Sequence, residues 1–314
     1  MTEPEPAEPD AAPAPARRRV SRRTLIVGGA AAAVAVGVGV PAASFAGVLP
    51  GRSTLYRLLG LDGPAGTVPA VATGPLVQGS FRSAARLGAA CGWAVSYPPG
   101  HGPGDRLPVA IALHGYSNSH RTAFGPRAHG LDAFLAQYTA RGGRPYAIAS
   151  VDGGNGYWHP RRSGEDSAAM LVDEFLPLLA RHGLVTERLG LLGWSMGGYG
   201  ALRLAGELGT GRVAAVAAAS PALWHTFAQS ANGAFDDAAD FARNTVFGRQ
   251  GRLDGVAVRV DCGTGDGFCA NDRDYVSGFA TAPSGGFEAG GHNNAYWLRM
   301  NPQHVAFVGR ALAA

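Results

Sequence analysis

Lysine is missing from this 314-residue chain altogether, and all 27 basic residues are arginine. With 47 glycines and an alanine-rich background, that bias reads as a property of the coding sequence and not of a mechanism. Charge is scarce too: 16% of residues are charged and the net charge is +4. The arginines are scattered apart from one group near the N-terminus. No basic stripe with interleaved aromatics occurs, which argues against nucleic-acid binding. Only three cysteines are present, Cys91, Cys262 and Cys269, so they cannot all pair within the chain. Cys262 and Cys269 flank one short loop; a bridge between them and three separate buried thiols both stay open. There is no H-E-x-x-H and no paired C-x-x-C, and His114, His120 and His129 share no regular helical spacing, so a catalytic metal is not expected. No fixed-period repeat and no heptad pattern appears, which leaves one large domain.

Apolar material is plentiful, at 46% of residues, enough for a sizeable core. The N-terminus has its own character. Residues 1–16 are acidic and proline-rich, with no apolar period, and are expected to be disordered. Arg17-Arg18-Arg19 and Ser21-Arg22-Arg23-Thr24-Leu25-Ile26 then precede an uncharged stretch rich in Ala, Val and Gly. Basic, apolar and small-residue regions in that order are the layout of a secretory signal. The paired arginines resemble a twin-arginine export motif, which implies engagement of an export machinery. Ser44-Phe45-Ala46 places cleavage after Ala46, giving a leader over 1–46, a linker over 47–73 and a catalytic domain over 74–314. The apolar stretch is also long enough to serve as an uncleaved anchor. In either case the body lies outside the cytoplasm.

Beyond the linker, strand and helix patterns alternate, the sign of an α/β fold with a mostly parallel central sheet. Strands are expected near 76–82, 92–97, 109–113, 147–151, 189–192, 213–218, 256–261 and 286–288. Helices are expected near 131–141, 167–182, 196–208, 236–247 and 296–314. The run Val109-Ala110-Ile111-Ala112-Leu113 suits a strand covered on both faces.

Between one of these strands and the helix after it stands Gly193-Trp194-Ser195-Met196-Gly197, a G-x-S-x-G. In strand–turn–helix context this is a nucleophile elbow, whose sharp turn holds a serine hydroxyl clear of the sheet. A nucleophilic serine needs an imidazole, a carboxylate to orient it, and donors for the oxyanion. In such folds the chain order is Ser, then acid, then His. His182 precedes the serine on a helix, His225 precedes every plausible acid loop, and His304 lies within the last helix. His292, in Ala-Gly-Gly-His-Asn-Asn before that helix, is the candidate base. Asp266, in the glycine-rich turn after the penultimate strand, is the candidate acid. Asp261 suits a capping or pairing role at the strand end, and Asp272 and Asp274 the start of a helix. The turn His114-Gly115-Tyr116 suggests the Tyr116 N–H as one oxyanion donor, with the Met196 N–H as the other. His114 itself is expected to fix that loop by hydrogen bonding. Trp158, Trp194 and Trp224, with Tyr116, are candidates for a substrate pocket, although core packing would account for each.

Leu113–Tyr116 (Leu-His-Gly-Tyr), Asp152-Gly153-Gly154 with Tyr157-Trp158-His159, residues 193–200, Asp261-Cys262-Gly263-Thr264-Gly265-Asp266 and Gly290-Gly291-His292 together resemble the putative esterase family. That family includes esterase D (an S-formylglutathione hydrolase), feruloyl esterases and the mycobacterial antigen 85 mycolyltransferases. The resemblance covers roughly residues 75–314 and implies an α/β-hydrolase fold, a Ser-Asp-His triad and no cofactor. Antigen 85 enzymes use a glutamate where Asp266 stands here, and an exported protein is poorly matched to a cytosolic glutathione thioester. The expected activity is therefore that of an exported serine esterase acting on a small-molecule, glycan or lipid ester. Acyl transfer to a sugar or lipid hydroxyl is the alternative, and a non-catalytic binding protein on the same scaffold is the third reading.

Overall fold

In the computed structural model, Met1, Tyr56 and residues 58–314 are described. The leader 1–46 with its twin-arginine motif, apart from Met1, and residues 47–55 and 57 of the linker lie outside the described residues. Eight strands follow in chain order: β1 Leu76–Ser83, β2 Ala89–Ser96, β3 Pro108–Leu113, β4 Ala147–Val151, β5 Val185–Trp194, β6 Val213–Ala219, β7 Ala257–Gly263 and β8 Ser284–Glu288. They form one sheet in the order β1-β2-β4-β3-β5-β6-β7-β8. β2 runs antiparallel to both β1 and β4, and every pairing from β4 to β8 is parallel. The central strands β4 (AIASV) and β6 (VAAVAAA) are buried at every position. That is what continuous apolar runs produce when helices cover both faces of a parallel sheet. At the edge, β1 alternates between exposed and half-buried residues along most of its length.

Among the described residues, six helices flank the sheet. They are α1 Leu131–Ala140, the composite α2, α3 Met196–Leu208, α4 Ala238–Asn244, α5 Cys269–Ser277 and α6 Asn294–Leu312. α2 consists of Ser167–Ala169, a π-helical turn at Met170–Phe175, and Leu176–Arg181. Its start is capped by Asp166, whose carboxylate accepts the Ala169 N–H at 2.9 Å. Two buried clusters mark the two faces of the sheet. One gathers Met170, Phe175, Leu202, Phe241 and Tyr275 from α2 to α5; the other gathers Leu131, Leu135, Val305 and Val308 from α1 and α6.

All eight expected strands are present. Two of the expected helices are differently built: α2 carries the π-helical turn, and α4 is shorter than 236–247. Asp237 caps α4 by accepting the Asp240 N–H at 2.7 Å, and Thr245 has already returned to extended backbone. α5 was expected only as a helix start near Asp272; its polar sequence, CANDRDYVS, carries almost no apolar period. Cys262 and Cys269 are not bridged. Both are buried thiols, as is Cys91. Burial pushes the Cys262 thiol well up from its ordinary range. Among the described residues, no helix is long and apolar enough to cross a membrane.

Candidate active site

β5 ends at Trp194 and α3 begins at Met196, leaving Ser195 alone to make the turn between them. Its backbone has φ 55° and ψ −122°, a conformation that costs an L-residue energy and persists only when its surroundings enforce it. The enforcement is visible. The Ser195 N–H donates to Ala219 O at 3.0 Å, and the Ser195 carbonyl accepts the Ala222 N–H at 3.0 Å and the Tyr199 N–H at 3.1 Å. Strand and helix can meet so closely because neither Gly193 nor Gly197 carries a Cβ. One on Gly193 would overlap the Gly197 carbonyl, and one on Gly197 the Leu113 carbonyl.

Past β7, the chain turns back at Asp266, whose N–H donates to Gly263 O at 2.9 Å. The Asp266 side chain is fully buried. Its Oδ1 accepts the Phe268 N–H at 2.9 Å, which leaves Oδ2 directed at Nδ1 of His292, 2.7 Å away. The other ring nitrogen, Nε2, lies 2.9 Å from Ser195 Oγ. With a carboxylate as acceptor at Nδ1, the ring carries its proton there and offers Nε2 to the serine hydroxyl. Two backbone bonds lock the acid loop to the histidine loop: Thr264 N–H to Glu288 O and Gly265 N–H to Gly290 O, each 2.8 Å. The structure thus joins Ser195, His292 and Asp266 in one hydrogen-bonded line.

The remaining expected positions cluster around that line. The Met196 N–H sits in the first turn of α3, where no intrahelical acceptor exists. Gly115 packs against Trp194 and Ser195 from the end of β3: a Cβ there would fall 3.2 Å from the Trp194 ring and 3.5 Å from the Ser195 Cβ. The next residue, Tyr116, keeps its ring exposed. His114 is buried; Nδ1–H donates to Gly115 O at 2.8 Å, and Nε2 accepts the Gly153 N–H at 3.0 Å. Burial pulls its pKa below the ordinary value, so the ring is neutral and acts as a brace.

A match to the Putative esterase family spans residues 84–297. The chain belongs to that family. No curated protein matches this sequence. Solved structures resembling this esterase include a ferulic acid esterase (TM-score 0.65, 20% identity, covering 76% of this chain and 98% of that one). An S-formylglutathione hydrolase from Agrobacterium tumefaciens is similar, with TM-score 0.61 and 17% identity over 78% and 98% of the two chains. So is the fluorophosphonate-binding serine hydrolase F of Staphylococcus aureus, with TM-score 0.58 and 17% identity over 76% and 99%. At such identities the likeness carries the α/β-hydrolase fold, and the family assignment makes the protein a hydrolytic enzyme.

Of the three tryptophans expected in the esterase's pocket, Trp158 belongs elsewhere. It is 2% exposed, donates its Nε1–H to His114 O at 3.3 Å, and packs over Gly153 and Gly200. It is a core support of the His114 loop. Trp194 is also buried and stacks on His129 with ring centroids 3.8 Å apart. Trp224 packs on Phe268 at 5.4 Å, and Phe268 in turn lies 5.3 Å from the His292 ring, so Trp224 reaches the site through one intervening side chain. Two residues at the site were not singled out from sequence. Trp297 stands edge-on to His292 at 5.0 Å and donates Nε1–H to Ser220 Oγ at 3.1 Å. Phe268 covers the imidazole from another side. Helical spacing put Trp297 within the last helix, but nothing in the spacing says that a particular turn faces the histidine.

Proposed function

We propose that this chain is an exported serine esterase that cleaves carboxylic esters through an acyl-enzyme formed on Ser195. The observation that carries the reading is the unbroken line Asp266–His292–Ser195, at 2.7 and 2.9 Å, in a hydrogen-bonding sense suited to proton transfer. His292 Nε2 takes the hydroxyl proton as Ser195 Oγ attacks the ester carbonyl. The Tyr116 and Met196 N–H groups receive the oxyanion. His292 returns the proton to the leaving alcohol, and water repeats the sequence to release the acid and free Ser195. Asp266 holds the imidazole in its Nδ1–H form and stabilises it when charged. A small-molecule or polymer-linked ester suits this chemistry, and no step requires a metal or cofactor.

The test is turnover of chromogenic esters of graded chain length by the wild type and Ser195→Ala. The variant is expected to lose at least about ten-thousand-fold in kcat while staying folded by circular dichroism. A fluorophosphonate should label the wild type only. Equal rates in both proteins would end the proposal. Export is tested separately, by recovering the secreted protein and finding an N-terminus after Ala46.

A further inference from the structure

Both peptide planes flanking Tyr116 are held by hydrogen bonds, the first at its oxygen and the second at both of its edges. In the Gly115–Tyr116 peptide, the Gly115 oxygen accepts from His114 Nδ1–H at 2.8 Å and from the Asn118 N–H at 3.2 Å. A trans peptide points its N–H opposite its C=O, so gripping that oxygen aims the Tyr116 N–H the other way. In the next peptide, the Tyr116 oxygen accepts from Asn118 Nδ2 at 3.3 Å, while the Ser117 N–H donates to Asn155 Oδ1 at 2.8 Å. Ser117 has φ 57°, a left-handed conformation that a serine does not hold unaided. Asn118 also links the two sides of the site, since its Oδ1 accepts from Nε1–H of Trp194, the residue before the nucleophile, at 3.4 Å.

We infer that Asn155 is a positioning residue for the reaction: by holding the Ser117 N–H it keeps Ser117 left-handed and fixes the direction of the Tyr116 oxyanion donor. The inference rests on the proposed roles of Ser195 and the Tyr116 N–H. Asn155 lies on the segment after β4, which is itself anchored where the Gly153 N–H meets His114 Nε2. It thus comes from an element that carries none of the three triad residues. Its side chain is exposed, so its removal leaves the core intact. An oxyanion donor works by being in place before charge develops, and a loop free to swing its peptide loses that advantage in the transition state more than in substrate binding.

The experiment compares wild type, Asn155→Ala, Asn155→Asp and Ser195→Ala on one p-nitrophenyl ester. It reads kcat, KM, the rate of fluorophosphonate labelling and the thermal midpoint. Asn155→Ala is expected to lower kcat and the labelling rate together by about ten- to hundred-fold, with KM within about twofold and the midpoint unchanged. Asn155→Asp retains an acceptor oxygen at the same reach and is expected to recover most of that loss. Unchanged kcat in Asn155→Ala overturns the inference. So does a loss that appears only in KM or in the thermal midpoint, or one that Asn155→Asp leaves in full. An active Ser195→Ala instead overturns the esterase reading beneath it, so the two failures are told apart.

Discussion

His304 Nε2 stands 2.8 Å from Oδ2 of Asp261, an imidazole–carboxylate pair five residues along the chain from the one that Asp266 makes with His292. The two pairs have different work. Asp261 is buried on β7, where Arg259 also donates to it from Nε at 2.6 Å and Nη2 at 2.9 Å, and His304 reaches it from α6. Its oxygens are taken up in tying α6 to the sheet. His292 precedes α6, so this tie steadies the element from which the His292 loop departs.

Asp261 should be felt in acid. Burial alone pushes its carboxyl up, but the hydrogen bond and charge of His304, with Arg259, more than offset this and hold it below its ordinary value. A carboxylate depressed on folding stabilises fully above its unfolded pKa of about 3.9, and that stabilisation is lost as pH falls through the lower folded value. Asp261→Asn is expected to cost about 3 kcal/mol at neutral pH, by leaving Arg259 without its partner in a mostly buried site. It should also flatten the fall in stability below about pH 4. Urea unfolding across pH 2–7 measures both effects, and parallel curves for the two proteins would contradict the assignment.

His129 acts over a different range. Desolvation between Trp194 and Trp297 lowers its pKa to about 3. The unfolded chain binds a proton there below about pH 6.5, and the folded protein does not. Stability is therefore lost as pH falls from 6.5 toward 3, by up to about 1.4 kcal/mol per pH unit from this group. His129→Phe retains a planar ring against both tryptophans and removes the titration. Its stability curve is expected to be flatter over that interval, again read by urea unfolding.

Asp266→Asn separates orientation from packing. The amide can still accept the Phe268 N–H, but it no longer offers His292 a carboxylate. A loss of roughly ten-thousand-fold in kcat is expected, with the fold retained. Steady-state kinetics on the same ester decide the matter, and a loss of less than tenfold would remove Asp266 from the mechanism.

Gly197→Ala probes the elbow. The added methyl meets the Leu113 carbonyl, a backbone atom that cannot rotate aside. Overpacking of this kind costs about 1–3 kcal/mol. For a domain of this size that lowers the melting midpoint by roughly 2–4 °C per kcal/mol, measurable by calorimetry. Activity should fall as well, because β3 leads directly into the His114–Tyr116 turn proposed to bind the oxyanion. Gly206→Ala, on the same helix, is the control: its new Cβ would come no closer than 3.4 Å, to Arg252.

The strands were legible because their apolar runs are local. A segment such as Val109–Leu113 states its own burial, since both faces must be covered. Ser195 was legible for a related reason: its turn needs glycines at fixed offsets, and those offsets are short. His292 and Asp266 could be proposed because, in folds with this elbow, the acid and then the histidine follow the serine along the chain. Trp158 shows where this reasoning stops. Its neighbours in sequence suggest a loop near the site, yet φ 57° at both Tyr157 and Trp158 turns its ring inward over Gly200. A backbone reversal of that kind leaves no periodic trace.

The amino-acid order by itself determined which segments become strands, because apolar runs act over a few residues. It likewise determined which serine could stand on the elbow. Only the tertiary structure decided how closely Asp266 approaches His292, which aromatic rings surround that imidazole, and that Asn155 holds the loop opposite. Those contacts join residues far apart in the chain. Their hydrogen bonds exist only once the backbone has placed donor and acceptor within 3 Å of each other.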